Sequence, residues 1–203
     1  MTDQNPDTKE KIMEVARILF ANNGFEGTSV RDIAKAAEVN VASVNYHFSS
    51  KDNLFSEILC SGYRHCFDDL KDFCDKNSPD TEEALVHLFR YFLSRSHDLV
   101  SYFKMMMSTQ HSHHTSACHA EGEYVGPPGG DVIIGILKSE VGSHISDRDL
   151  DWAVKSLFSN VVHIAIMFNC CFKSAGTPFT SAEELEQNIR RLTRVVVKEL
   201  KDS

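Results

Sequence analysis

The spacing of apolar residues between positions 28 and 51 constrains the fold of this chain more than any other feature. Apolar side chains recur there every three or four positions, the pattern of a helix with one buried face: Val30, Ile33, Ala34 and Ala37. Thr28 or Ser29 can cap this helix, and Asp32 stands three residues beyond Ser29, the spacing of a capping box. The stretch therefore predicts a short helix that begins close to residue 29.

A second short helix is predicted after an interruption at 37–40, where Asn40 suits either a strained turn position or an N-cap. Val44 and Phe48 are its apolar positions, with Val39 under the turn. The other face carries no formal charge at neutral pH: Asn40, Val41, Ala42, Ser43, Asn45, Tyr46 and His47. Small residues let a backbone approach a groove, and Asn, Ser and methyl groups suit adenine edges and thymine methyls. Two short helices with such a face predict a DNA-reading unit.

Further motifs surround this unit at fixed offsets. They are a helix over 9–23 with Gly24-Phe25, the run TSVRDIA at 28–34, NYHF at 45–48, and Lys51 with Leu54-Phe55. With these motifs the first quarter of the chain resembles the amino-terminal domain of the TetR family of transcriptional regulators. Beyond Phe55 the chain is similar to that family only in its length and its helical character.

The resemblance implies a role for each matching residue. Four match positions that usually hold DNA phosphates: Thr28, Tyr46, His47 and Lys51. Five match positions that face the major groove: Arg31, Val41, Ala42, Ser43 and Asn45. The base-reading helix contains no Arg or Lys, and the tyrosine or phenylalanine common at the Asn45 position is absent. A bidentate contact to guanine therefore falls to Arg31 alone.

We predict an all-α chain in two parts, a three-helix helix-turn-helix DNA-binding domain over 1–50 and a helical effector-binding and dimerisation domain over 51–203. Periodicity and caps predict the later helices at 51–77, after Asp80, at 99–109, 131–141 and 147–173, and after Ser181. The helix over 147–173 is apolar nearly all round and must be covered on both sides. With the last helix it would form a four-helix homodimer interface, which supplies the two-fold symmetry of two DNA-binding heads. The alternative is a monomer with this helix central in its core.

Composition is that of an ordinary globular protein, with 42% apolar and 25% charged residues among 203. The net charge is −8, and residues 1–51 hold six Lys/Arg against seven Asp/Glu, so DNA binding must rest on the local placement of charge. Residues 1–8 have no signal-peptide pattern. The longest near-apolar run, 161–172, is twelve residues long, too short to span a bilayer. We expect a cytoplasmic protein without a membrane partner.

A long loop is predicted over 110–130, which lacks apolar periodicity and ends in Pro127-Pro128-Gly129-Gly130. It contains five borderline or soft metal ligands: His111, His113, His114, Cys118 and His119. Their spacing matches no zinc signature, so we predict no metal or cofactor. The six cysteines stand at irregular spacings and are expected to be reduced thiols. A metal- or thiol-responsive sensor is the alternative function.

Catalysis finds no support in the sequence, because HExxH, GxSxG, Walker A and dinucleotide-binding motifs are all absent. We therefore predict that the chain is not an enzyme. An apolar effector pocket between body helices is predicted instead, lined by Phe89, Phe92, Phe103, Met106, Phe158, His163 and Met167. The same side chains could instead close a dry core. The predicted function is a repressor that a small apolar or amphipathic effector releases from a palindromic operator.

Overall fold

Helices make up the regular secondary structure in the computed structural model of the chain, which describes residues 6–108, 125–172 and 181–203. In chain order they are α1 (Pro6–Asn23), α2 (Val30–Ala36), α3 (Val41–Phe48), α4 (Lys51–Asn77), α5 (Thr81–Ser94), α6 (Ser96–Ser108), α7 (Gly130–Val141), α8 (Asp147–Met167) and α9 (Ala182–Asp202). A π-helical turn, Phe168–Phe172, continues α8. The all-α fold class predicted from the sequence is confirmed.

The chain divides into two compact units. The amino-terminal unit comprises residues 1–63 and 97–123, and the carboxy-terminal unit comprises 64–96 and 124–203. Helix α4 contributes to both, and α6 joins α1, α2 and α3 in the first. The functional boundary predicted at residue 50 stays a prediction, because compactness alone does not assign a function to either side.

Helices α1 and α6 each begin three residues before their predicted starts, and α4 begins where predicted but has a different cap. Helix α1 begins at Pro6 rather than Lys9, because proline lacks only an N–H that the first turn leaves unbonded. Ser49 stands three residues before Asp52, the spacing of a cap for α4, but the hydroxyl of Ser50 accepts the hydrogen bond from the Asn53 N–H, at 3.0 Å. Ser49 has a φ of 61° and ends α3 instead. The caps predicted at Asp80 and Ser181 are confirmed, and Ser146 caps α8 by accepting a hydrogen bond from the Asp149 N–H.

Aromatic rings fill the core of the amino-terminal unit. Phe20 and Phe55 are fully buried with ring centres 5.0 Å apart, and Phe25 lies 5.2 Å from Phe55. Ile33 of α2 and Met105 of α6 are also fully buried in this cluster. Helix α6 therefore completes the hydrophobic core of the helix-turn-helix motif, which the division predicted from sequence did not foresee.

A buried arginine also joins α6 to α1. Arg17 is 7% exposed, and its guanidinium contacts Glu14 at 2.6 Å and Asp98 at 2.9 Å. Burial acts to lower the pKa of Arg17, but the hydrogen bond to Glu14 and the charge of Asp98 outweigh it and raise that pKa. The guanidinium lies 5.8 Å from the centre of the Tyr102 ring, which packs against Gly62 of α4. A Cβ built on Gly62 would stand 2.6 Å from Tyr102 Cζ, so the glycine permits this approach.

Ion pairs and one cap join the helices of the carboxy-terminal unit. Glu82 on α5 accepts hydrogen bonds from Arg190 at 2.9 Å and Arg194 at 2.6 Å, both on α9. Glu140, at the end of α7, accepts from the backbone N–H and the hydroxyl of Thr81 and so caps α5. Helix α5 packs against α7, α8 and α9.

Helix α8 is only partly covered within the chain. By length and composition, the segment Asp147–Cys170 is apolar enough to cross a membrane, and 28% of its most apolar window is buried. The core helix of a soluble protein passes the same test, so this is weak evidence for a membrane span. Among the described residues, α8 is therefore not covered on both sides as the sequence predicted.

Candidate nucleic-acid interface

A reciprocal cap fixes the start of α2. The Ser29 hydroxyl accepts a hydrogen bond from the Asp32 N–H at 3.1 Å, and the Asp32 carboxylate accepts one from the Ser29 N–H at 3.1 Å. The Ser29 hydroxyl also donates to that carboxylate and, with the backbone bond, holds the pKa of Asp32 below its ordinary value. The capping box predicted at Ser29 is confirmed, and Arg31 lies exposed in the first turn.

Asn40 is the N-cap of α3, one of the two roles the sequence allowed. Its Oδ1 accepts hydrogen bonds from the Ser43 N–H at 2.6 Å and from the Ser43 hydroxyl at 3.1 Å. The strained turn position belongs to Glu38 instead, with a φ of 56°. Val44 and Phe48 are buried, as predicted, so the opposite face of α3 turns outward.

The outward face of α3 is uncharged and accessible. Val41, Ala42 and Asn45 are exposed, and Ser43 is half-buried. Tyr46 is 63% exposed although its ring is large and apolar. Small polar side chains and an aromatic ring on a capped helix suit base edges and phosphates. The assignment of these residues as DNA contacts stays a prediction.

Two predicted phosphate contacts are engaged inside the amino-terminal unit. Thr28 is 1% exposed, and its hydroxyl donates to the Gly24 carbonyl at 2.8 Å. Lys51 Nζ donates to the carbonyls of Phe25 at 2.9 Å and Thr28 at 3.2 Å, and it lies 4.1 Å from the centre of the Phe25 ring. These bonds hold the turn between α1 and α2 against the start of α4. An ammonium has three donor hydrogens, so Lys51 keeps one for a phosphate.

His47 is half-buried near the end of α3, between the rings of Tyr46 and Phe48. Its Nε2 is buried and has no hydrogen-bond partner among the described residues. A phosphate contact by His47 would therefore use Nδ1.

Lys35 is an exposed cation of the motif that the sequence analysis did not single out. It stands four residues after Arg31 on α2, and both side chains are exposed. Residues four apart share one face of a helix, so the spacing alone could have identified this basic pair.

The residues predicted to line an effector pocket fall in both compact units. Phe103 and Met106 lie on α6 in the amino-terminal unit and are 39% and 42% exposed. The other five lie in the carboxy-terminal unit: Phe89, Phe92, Phe158, His163 and Met167. Phe89 and Phe92 are buried, and Phe92 meets Phe158 edge-on with ring centres 5.8 Å apart. Phe92 and Phe158 thus form an aromatic contact between α5 and α8, and Phe89 is buried on α5.

His163 lies on a different face of α8 from Phe158. Exposed residues follow one face of this helix: Trp152, Ser156, Ser159 and His163. His163 stands about three turns after Trp152, so the two side chains point the same way. Phe158 points about 140° away from His163. In the single chain, His163 and Phe158 therefore face different surroundings.

The cysteines of the described residues include both free thiols and a disulfide-bonded residue. Cys66, Cys74 and Cys170 are free, whereas Cys60 is disulfide-bonded, so the expectation that all six are reduced is wrong for Cys60. Burial raises the pKa of the Cys66 thiol to about 12, and it also raises that of Cys74. Such thiols stay protonated and unreactive near neutral pH.

The metal-binding alternative is not tested by the structure. The predicted ligands of the histidine-rich loop, between 111 and 119, lie outside the described residues. Within the described ranges, no three His, Cys, Asp or Glu side chains are grouped so that they could hold a metal ion.

A capped helix-turn-helix with an uncharged second helix, joined to a helical body, defines the class of helix-turn-helix transcriptional regulators. Residues 12–58 match the family described as bacterial regulatory proteins, tetR family. Residues 12–58 therefore have the sequence of a TetR-family DNA-binding domain. This assignment agrees with the resemblance in the sequence and with the prediction that the chain is not an enzyme.

Two curated relatives share the family. The probable HTH-type transcriptional regulator YttP of Bacillus subtilis is 39% identical over 92 residues, which are 45% of this chain and 44% of that protein. The negative regulator IcaR of the biofilm operon icaADBC in Staphylococcus aureus is 30% identical over 91 residues, 45% of this chain and 47% of IcaR. The match thus spans less than half the length of either relative.

A solved structure extends the likeness in fold to nearly the whole chain. The transcriptional regulator FadR of Bacillus subtilis, crystallised with stearoyl-CoA, has a TM-score of 0.65 and 14% identity. The likeness covers 94% of this chain and 96% of FadR. At this identity it supports the fold alone.

Proposed function

We propose that this chain is a dimeric transcriptional repressor that binds a palindromic operator and is released by a small apolar or amphipathic effector. The observation that carries DNA binding is the exposed, uncharged face of α3, held by the Asn40 cap and the buried Val44 and Phe48. A solvated helix of a soluble protein would normally present charged side chains on that face. Double-stranded DNA as the partner implies a cytoplasmic protein.

Uncovered apolar surface on α8 and α9 supports the homodimer. Trp152 on α8 is 72% exposed, and Val195 and Leu192 on α9 are 60% and 37% exposed. Large aromatic and aliphatic side chains exposed together mark an interface. A second copy of the chain is the occupant that gives two DNA-binding heads a two-fold axis, as a palindrome requires.

The aromatic pair of Phe92 and Phe158, with Phe89 buried on the same helix α5, supports an apolar effector. Aromatic side chains predominate in the walls of small-molecule sites. FadR, with the same fold, was crystallised with stearoyl-CoA, a long acyl chain on a polar carrier. We propose that effector binding favours a spacing of the two heads that no longer matches successive major grooves, about 34–36 Å apart. IcaR is a negative regulator, which supports repression as the output.

Selection of duplexes from a random DNA pool tests the proposed function most directly. We expect the full-length protein to enrich a palindrome whose half-sites are about one helical turn apart. Asn45→Ala should change the base preference at one position of each half-site, because α3 reads the groove. Asn53→Ala is the matched control, an exposed asparagine on α4, and should leave the selected sequence unchanged. Absence of any enriched sequence would reject the proposal.

The dimer is tested by sedimentation of two charge-introducing variants. Val195→Glu should shift the protein toward monomer, since it places a carboxylate in the proposed interface. Ile18→Glu is the control, because Ile18 is 45% exposed on α1 in the other unit. A Val195→Glu protein that sediments as wild type would remove α9 from the interface.

An acyl-chain effector is tested with stearoyl-CoA as the probe. Stearoyl-CoA should raise the melting temperature and weaken binding to the selected operator. Phe158→Ala, which removes one ring of the aromatic pair, should reduce both effects, whereas Phe103→Ala on α6 should reduce them less. If stearoyl-CoA changes neither quantity in the wild-type protein, acyl-CoA chains are rejected as the effector class.

A further inference from the structure

The six Lys and Arg residues of positions 1–51 are not equally available to DNA. Three form ion pairs within the amino-terminal unit: Lys9 with Glu57, Lys11 with Glu38 at 3.3 Å, and Arg17 with Glu14 and Asp98. Lys51 donates to two backbone carbonyls. An exposed ion pair holds its cation only weakly, but a cation without a carboxylate partner gives up no such contact when it binds a phosphate.

Arg31 and Lys35 differ from these four. Both lie on α2, both are exposed, and neither belongs to an ion pair among the described residues. They stand four positions apart, so their side chains emerge from the same face about one turn apart. Ile33 and Ala34 on the opposite side are buried and fix that face outward.

We propose that Lys35 is a DNA phosphate contact on α2, one turn from Arg31, the predicted major-groove contact. This rests on the proposed DNA binding. The first helix of a helix-turn-helix crosses the sugar-phosphate backbone while the second lies in the groove. An exposed cation on the outer face of α2 is therefore placed against phosphate, whereas α3, without charge, reads the bases.

Glu38, in the turn between α2 and α3, is consistent with phosphate contacts on α2 and base contacts on α3. Glu38 connects α2 to α3, and its side chain is 83% exposed, where it would face the negative charge of DNA. Lys11 lies 3.3 Å from its carboxylate and neutralises it. Lys11 is thus paired with Glu38, and we expect it to contribute less to phosphate binding than Lys35.

The salt dependence of DNA binding separates these cations. Each phosphate contact contributes about 0.9 to the slope of log K against log salt, so one contact per head changes the slope of a dimer by about 1.8. Fluorescence anisotropy of the full-length dimer on its selected operator, across a potassium chloride series, measures that slope. Lys35→Ala should make it shallower by about 1.8, and Lys35→Arg should keep it.

Two control variants test whether the change in the salt slope is specific to the lysine on α2. Lys104→Ala removes an exposed lysine of α6 in the same unit and should leave the slope unchanged. Lys11→Ala should change it less than Lys35→Ala does, because Lys11 is paired with Glu38. A wild-type slope in Lys35→Ala, or a loss of about 1.8 in Lys11→Ala, would overturn the inference while DNA binding itself stood. A wild-type protein that binds no duplex would instead reject the proposed function, and the inference with it.

Discussion

The two compact units are stabilised in different ways. The amino-terminal unit buries Phe20, Phe48 and Phe55 in its core, together with Arg17. In the carboxy-terminal unit, ion pairs between α5 and α9 lie near the surface, and the apolar residues Trp152 and Val195 stay exposed. The first unit is thus held by a buried aromatic core, whereas ion pairs close to the surface help to join the helices of the second.

The most damaging single change should fall in the aromatic core of the first unit. Phe55→Ala removes a fully buried ring that contacts Phe20 and Phe25, and it should lower the free energy of unfolding by about 3–5 kcal/mol. Urea denaturation measures the loss, and DNA binding should disappear with it. Phe103→Ala, at a ring that is 39% exposed, should cost less than about 1 kcal/mol. Equal costs at the two positions would contradict the contrast between core and surface.

The buried ion pair of Arg17 with Asp98 offers a second test of how the core of the amino-terminal unit is stabilised. Asp98→Asn leaves Arg17 buried with Glu14 as its remaining carboxylate, and it should cost about 2 kcal/mol. Arg17→Met added to Asp98→Asn should recover much of that loss, because no buried charge then lacks a partner. A double-mutant cycle from urea denaturation measures the coupling. Strictly additive costs would mean that the pair contributes nothing to the junction of α6 with α1.

The helix-turn-helix was predictable from sequence because its short-range chemistry determines it. Ser29 with Asp32, Asn40 with Ser43, and the apolar spacing around Ile33 and Val44 are all local, and each is confirmed. The junction of Arg17 with Asp98 joins residues far apart in sequence, which no periodicity can indicate. The sequence likewise did not predict on which face of α8 His163 lies. A helix that is apolar on nearly all sides gives no indication of which face is buried.

Two helical glycines sharpen the comparison of the units. Gly62→Ala should cost about 1–2 kcal/mol, because its Cβ would meet the Tyr102 ring at 2.6 Å. Gly135→Ala, in the middle of α7, meets nothing within 4 Å and should instead stabilise by about 0.5–1 kcal/mol through helix propensity. Thermal unfolding of the two variants gives the sign of each effect. A stabilising Gly62→Ala would show that Tyr102 moves aside and that α6 is not packed tightly on α4.

The smallest effect is expected for the ion pairs of the second unit, and it depends on pH. Hydrogen bonds from Arg194 and then from Arg190 hold the pKa of Glu82 below its ordinary value of 4.5. A carboxyl whose pKa is lower in the folded state stabilises the fold above its unfolded pKa and loses that contribution as pH falls through the folded value. Glu82→Gln should therefore cost about 1 kcal/mol at pH 7.

That cost should stay constant down to about pH 5 and shrink below about pH 4.5, as Glu82 of the wild-type protein becomes protonated. Urea denaturation of both proteins between pH 3 and pH 7 measures the difference. Glu83→Gln, at an exposed carboxylate in the same turn of α5, is the control and should change stability by less than about 0.5 kcal/mol. A cost for Glu82→Gln that persists unchanged at pH 3 would mean that α5 and α9 are held by packing, as in the amino-terminal unit, and not by this charge.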